Sequence, residues 1–212
     1  MSISIVSGAS SDVQTVDATS KAARVTLYDS AGRETSSQGK QTFGIASNFT
    51  PAATPTDLVI IEGSSTKTVR VVSMVIGTTN TAAGSQAFFL IKRSAADTTG
   101  TFVSAGTPVP FDSNNAASTV NRVGHFTANP GALGTAVGTI NQVRAASPVA
   151  IPATWAGIRE LGDVEMMPWG PVSKLDQPIV LRGVAQTLAI NFNGTALVAG
   201  QTHIYRIIWI EE

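Results

Sequence analysis

No cysteine occurs in the 212 residues. Disulfides, thiolate nucleophiles and cysteine metal sites are excluded together, and the redox compartment leaves no mark on the sequence. Charge is scarce as well: Asp, Glu, Lys and Arg make up 13% of the chain, about half of the usual quarter. The 14 basic and 14 acidic side chains cancel, so no net field steers the chain toward nucleic acid or an anionic membrane. No stretch approaches the roughly 20 apolar residues of a membrane span, and the N-terminus, Met-Ser-Ile-Ser-Ile-Val-Ser-Gly, has neither the basic start nor the apolar core of a secretory signal. These absences predict a protein made in a cytoplasm, with no membrane, nucleic-acid or cofactor partner. Hydrophobic residues still make up 43%, and a surface this poor in charge is a solubility liability unless neighbours cover much of it. Assembly is therefore expected.

Short apolar runs separated by turn chemistry fill the rest of the sequence. The clearest are the last three, Pro178 to Gly183, Gln186 to Phe192 and His203 to Ile210. Leu188, Ile190 and Phe192 alternate with Thr187, Ala189 and Asn191, the period of two of a half-buried strand, and Asn193-Gly194 supplies the next turn. The final run is apolar on both faces, which predicts cover on both sides by its own domain or by another chain. Upstream, Leu58 to Ile61, Thr66 to Ile76, Gln86 to Arg93, Ser118 to Thr127 and Val164 to Trp169 read as strands. The phase of Thr66 to Ile76 switches, since Val69 and Val71 precede Val72, Met74 and Ile76, and a β-bulge near Val71 or burial on both faces accounts for it. Residues 94–117 and 127–163 read as long loops, with one or two helical turns over Trp155 to Leu161. About eight short strands with no long amphipathic helix give an all-β antiparallel sandwich, jelly-roll-like by strand number. Residues 1–50, rich in Ser, Thr, Ala, Gly and Gln with one strand at Arg24 to Tyr28, read as an extended N-terminal arm and linker, and residues 51–212 as the sandwich.

Chemistry is hard to find in the pattern. A serine triad needs a histidine that meets a nucleophile and an acid; His125 and His203 both fall inside predicted strands, and there is no Gly-x-Ser-x-Gly elbow. Asp112-Ser113-Asn114-Asn115 and Asp163-Val164-Glu165 are the densest oxygen clusters, but they lack the alternating acids and later Glu of a calcium loop. Glu160, Asp163 and Glu165 share one connection and would have to serve as the acids of a carbohydrate-active enzyme; solvated loop charges are the preferred reading. Gly131, Gly134 and Gly138 lack the Gly-Lys-Ser/Thr ending of a phosphate loop and read as turns. No catalytic, metal or cofactor-binding residue is assigned. Trp155 and Trp169, in loops, are candidates for stacking on a glycan, whereas Tyr205, Ile207 and Trp209 on the last strand, with Val25, Leu27 and Tyr28 in the arm, are candidate subunit-interface residues.

One resemblance adds to this. Ser7-Gly8-Ala9-Ser10-Ser11-Asp12 followed by Val16 to Tyr28 resembles an N-terminal module of tailed-bacteriophage structural proteins. Ile91-Lys92-Arg93-Ser94, Pro110-Phe111-Asp112-Ser113-Asn114, Thr127-Ala128-Asn129-Pro130, Gly134 to Gly138 and Gln177 to Gly183 are similar to a recurring virion β-domain. The resemblance implies a virion protein without catalytic activity, most directly a capsid decoration (cement) protein on the head surface. Its implied partners are the major capsid protein or other virion proteins, and its implied state is a homo-oligomer, expected as a trimer. The alternative is a tail fibre, baseplate or receptor-binding component that touches a host glycan through its long loops.

Overall fold

The computed structural model describes residues 5–6, 13–16, 23–24, 40–80, 82, 84–147, 161–166 and 178–212. These residues form strands, turns and loops, and among them no helix is long and apolar enough to cross a membrane. Two units separate along the chain, Met1–Lys40 and Gln41–Glu212. In the first, β1 (Ile5–Val6), β2 (Val13–Val16) and β3 (Ala23–Arg24) pair antiparallel in the order β1-β2-β3. Arg24 ends β3, and Val25, Leu27 and Tyr28 lie outside the described residues.

The second unit is an antiparallel β-sandwich. Its strands are β4 (Gln41–Phe49), β5 (Asp57–Glu62), β6 (Thr68–Thr79), β7 (Gly84–Arg93), β8 (Thr101–Ser104), β9 (Val109–Pro110), β10 (Val123–Ala128), β11 (Ala136–Ser147), β12 (Leu161–Glu165), β13 (Ile179–Arg182), β14 (Thr187–Asn191) and β15 (Thr202–Glu211). One sheet runs β11-β7-β14-β5-β10-β8, and the other runs β12-β6-β15-β4-β9 with β13 also paired to β6. Between them lies the core, to which the first sheet gives Leu58, Val59, Ile61, Phe88, Leu90, Leu188 and Ile190, and the second Phe43, Ile45, Val69, Met74, Tyr205, Ile207 and Trp209. Burying such side chains is the main favourable term in folding.

Strand β15 shows how the sequence dictates this. His203, Tyr205, Ile207, Trp209 and Glu211 are buried while the alternate residues are more exposed, with Ile204 43% accessible. The interface assignment of Tyr205, Ile207 and Trp209 is thereby corrected. Their accessibilities of 1%, 0% and 0% place them inside the chain's own sandwich, where they offer a neighbour no surface. A strand buried by the facing sheet and one buried by a partner leave the same apolar trace, which is why the sequence pattern could not separate them.

Three further boundaries move. Residues 41–49, read as part of the arm, form β4, which pairs along its whole length with β15 and buries Phe43, Ile45 and Phe49. Small and polar residues between these apolar side chains hid the strand. Within the expected loop at 127–163 lies β11, a 12-residue edge strand paired to β7 with two register shifts; its exposed first residues carry little apolar signal. The expected loop at 94–117 contains β8 and β9, and the strand expected from Ser118 starts only at Val123. Of the helical turns expected at Trp155 to Leu161, only Leu161 is described, and it opens β12. Both accounts of the phase switch in β6 are present: Ile208 faces Ser73 and Trp209 faces Val71, which leaves Val72 without a partner on β15, and the residues from Met74 to Thr78 are buried on both faces.

Candidate functional site

A network of charges is built into the sandwich around the end of β7. Arg93, the last residue of β7, donates from Nε to Asp57 Oδ2 at 2.7 Å and from Nη2 to Asp57 Oδ1 at 2.8 Å. This two-pronged geometry is the strongest form of ion pair between side chains. Its third donor, Nη1, reaches the Gly134 carbonyl at 2.8 Å, and Asn191 on β14 donates to Asp57 Oδ1. Asp97 stands beside them: its Oδ1 accepts from the Gly134 amide at 2.8 Å and lies 3.7 Å from Arg93 Nε. Asp57, Arg93 and Asp97 are all buried.

A second ion pair continues the network. Arg122 donates through Nε to Glu62 Oε1 at 2.9 Å and through Nη2 to the Asp97 carbonyl at 2.8 Å, Asn121 donates to Glu62 Oε2 at 2.6 Å, and the Arg122 guanidinium lies 5.2 Å from the centre of the Phe102 ring. Burial pushes the Asp97 carboxyl up to about 7, and the charge and hydrogen-bonding reach of Asp57 push the same way against the opposing Gly134 amide and Arg93. A carboxyl taken out of water beside another carboxylate resists ionisation.

Two loops are fastened together over this network. Thr98 and Ala132 exchange backbone hydrogen bonds at 3.0 and 3.3 Å, and the Gly131 amide donates to Thr99 Oγ1 at 2.8 Å. At Gly134 an added Cβ would collide with the Ala95 carbonyl, so the approach of loop to loop needs glycine there. The glycines at 131 and 134 are thus packing residues. Gly134→Ala is expected to cost about 1–3 kcal/mol in urea denaturation, while Gly138→Ala, where the Cβ meets open space, stays within about 0.5 kcal/mol. Equal costs at the two positions would remove the argument for a forced approach.

The histidines sit elsewhere, between the sheets. His125 Nδ1 is 3.1 Å from the Tyr205 hydroxyl and its ring stacks on Phe49 with centroids 4.3 Å apart; His203 Nδ1 is 2.9 Å from Thr78 Oγ1. Burial lowers both imidazoles, His203 to about 4, and raises the Tyr205 phenol. Both Nδ1 atoms thus meet a hydroxyl, and neither meets the acid that a triad requires. Glu211 anchors the end of β15: Thr119 donates to it from its amide and hydroxyl, Ser118 from its hydroxyl and Trp209 from Nε1, with Lys67 Nζ 3.7 Å away. Burial alone would raise its carboxyl, but these donors outweigh burial and hold it below its ordinary value.

Trp155, Trp169 and Glu160 lie outside the described residues, and Asp163 and Glu165 are described only as backbone of β12. The structure therefore assembles no site from them. Asp112 caps a turn, accepting from the Asn114 amide at 2.9 Å. Among the described residues no group of three or more His, Asp or Glu side chains is arranged to hold a metal ion. Sequence reasoning missed Asp57, Arg93, Asp97, Asn191, Glu62 and Arg122; the one available signal was a charged residue closing or opening an apolar run, which reads equally well as a solvated strand end. Neither a family model, nor a curated protein, nor a solved structure matches this chain.

Proposed function

We propose that the protein is a structural virion component of a tailed bacteriophage, most directly a decoration protein of the capsid surface, folded as a jelly roll. The observation that carries this is the strand order. Taking β4, β5, β6, β7, β11, β12, β14 and β15 in turn, one sheet contains β4-β15-β6-β12 and the other β5-β14-β7-β11, an order that supports the winding of an eight-strand double-sheet jelly roll. Strands β8, β9 and β10 are then an insertion between β7 and β11, and β13 an addition beside β6. The buried acids favour a scaffold role over catalysis, since Asp57, Glu62, Asp97 and Glu211 are each engaged within the chain.

In this reading the unit Met1–Lys40 clamps the shell, adding strands to a neighbouring subunit, and many identical copies offset weak single contacts. The outward residues Ile204, Ile208 and Ile210 replace the buried Tyr205, Ile207 and Trp209 as the part of β15 open to a neighbour in a trimer. Deleting residues 1–40 is expected to leave the cooperative melt of the sandwich intact and to abolish co-sedimentation with empty shells. Deletion to residue 50 would instead remove β4 and unfold the domain. Full retention of shell binding by the shorter deletion would overturn the clamp. Counting copies on intact particles separates the head assignment from the fibre or baseplate alternative: many copies over the head mean decoration, and a few at one vertex mean tail.

A further inference from the structure

The charges of the buried network do not balance. Arg93 is matched by Asp57 and Arg122 by Glu62, which leaves Asp97 as a third buried carboxyl without a cation of its own. Its Oδ2 is buried and has no hydrogen-bond donor, and the carboxylate of Asp57 beside it can only accept. A bare carboxylate would thus face another acceptor in a place sealed from water, an arrangement that is strongly unfavourable unless one group neutralises itself. A proton on Asp97 turns the clash of acceptors into a donor and an acceptor.

We propose that one proton held by Asp97 completes the network, and that losing it loosens the fastened loop pair, residues 94–100 and 129–135, from β5 and β7. The fold thereby contains a latch that is shut in acid and released in base, whatever the protein assembles with. The groups facing Asp97 account for the direction. Asp57 comes from β5, Arg93 from β7 and Arg122 from the segment before β10, with Glu62 occupied by Arg122; Asn191 from β14 does not titrate, and residues 129–135 bring only Gly134's backbone groups. His125, on β10, is turned to Tyr205. Ionisation strengthens the Gly134 amide bond to Oδ1, but it sets an unmatched buried charge against Asp57, and burial with that repulsion outweighs the bond. Because the folded-state value lies above the ordinary carboxyl value, the stabilisation is fully present below about pH 4 and fades as pH rises through about 7.

The test is amide hydrogen exchange of the full-length chain at about pH 6 and about pH 9, corrected for the intrinsic rate. The reporters are the amides of Thr98, Ala132 and Gly134, which close the loop pair, with Ile207 in the core as the reference. The expected result is a loss of protection of about tenfold or more at the three reporters on going to the higher pH, with little change at Ile207. In Asp97→Asn, whose amide oxygen can accept from Gly134 and whose NH2 can donate to Asp57, protection should be flat across the same range. Unchanged protection in the native chain, or an undiminished pH dependence in Asp97→Asn, would overturn the latch. If Asp97→Asn does not fold, carboxyl carbon NMR of the native chain decides: an aspartate titrating near pH 7 supports the proposal, and aspartates titrating only in the ordinary range sink it.

Discussion

Replacing Arg93 by alanine is expected to cost about 3–5 kcal/mol of stability. The side chain donates to both oxygens of Asp57 and to the Gly134 carbonyl, and the side-chain accessibilities of the two partners are 5% and 0%. Without the guanidinium, Asp57 loses its charged partner, retains the Asn191 amide as a donor and sits buried next to Asp97 with no positive charge between them. Most of the loss is the penalty of stranding that carboxylate, not the worth of the ion pair itself. Asp57→Asn in the same chain should therefore recover part of the loss, with a coupling of about 0.5–3 kcal/mol between the two sites. Urea denaturation of the native, single and double variants measures it. A loss below about 1 kcal/mol for Arg93→Ala would mean that water reaches the pair, and the network would lose its standing as a buried one.

Trp209→Ala should cost a comparable amount, about 3–5 kcal/mol. Trp209 is fully buried, stacked on Phe43 with ring centroids 5.9 Å apart, and its Nε1 donates to Glu211 Oε1 at 3.1 Å. Alanine leaves a cavity against Phe43 and takes one donor from a carboxylate that depends on several. Trp209→Phe restores much of the volume but not the N–H, and should fall short of the native chain by about 1–3 kcal/mol. Far-ultraviolet circular dichroism in urea separates the two variants without relying on tryptophan emission. Equal losses for Ala and Phe would mean that the hydrogen bond to Glu211, not the packed volume, governs the site.

What could be seen in the sequence followed from dense apolar runs. β5, β6, β7, β13, β14 and β15 carry enough Val, Ile, Leu and Phe to declare themselves, in alternation in β14 and on both faces in β5 and β15, and the phase switch in β6 marked the place of its bulge. β4 did not, because Gly44, Ala46, Ser47 and Asn48 interrupt its buried Phe43, Ile45 and Phe49, and neither did β11, whose edge position asks for little apolar burial. The ion pairs were invisible for a different reason. Asp57 and Arg93 are 36 residues apart, Arg122 and Glu62 are 60 apart, and nothing in the local sequence of a charged strand end says whether it meets water or another charge. For Tyr205, Ile207 and Trp209 the apolar reading was right and the surface was wrong, since parity tells which residues are covered but not by what.

The unpaired Val72 has an implication for how β6 tolerates changes of length. Val69 and Val71 face the core on one side of it and Met74 and Ile76 on the other, and it stands where β13 gives way to β12 along the same edge. Excising Val72 would join Val71 to Ser73 in strict in-and-out order and leave each remaining side chain on its present face. Excising a neighbour such as Arg70 or Val75 would turn part of the strand inside out.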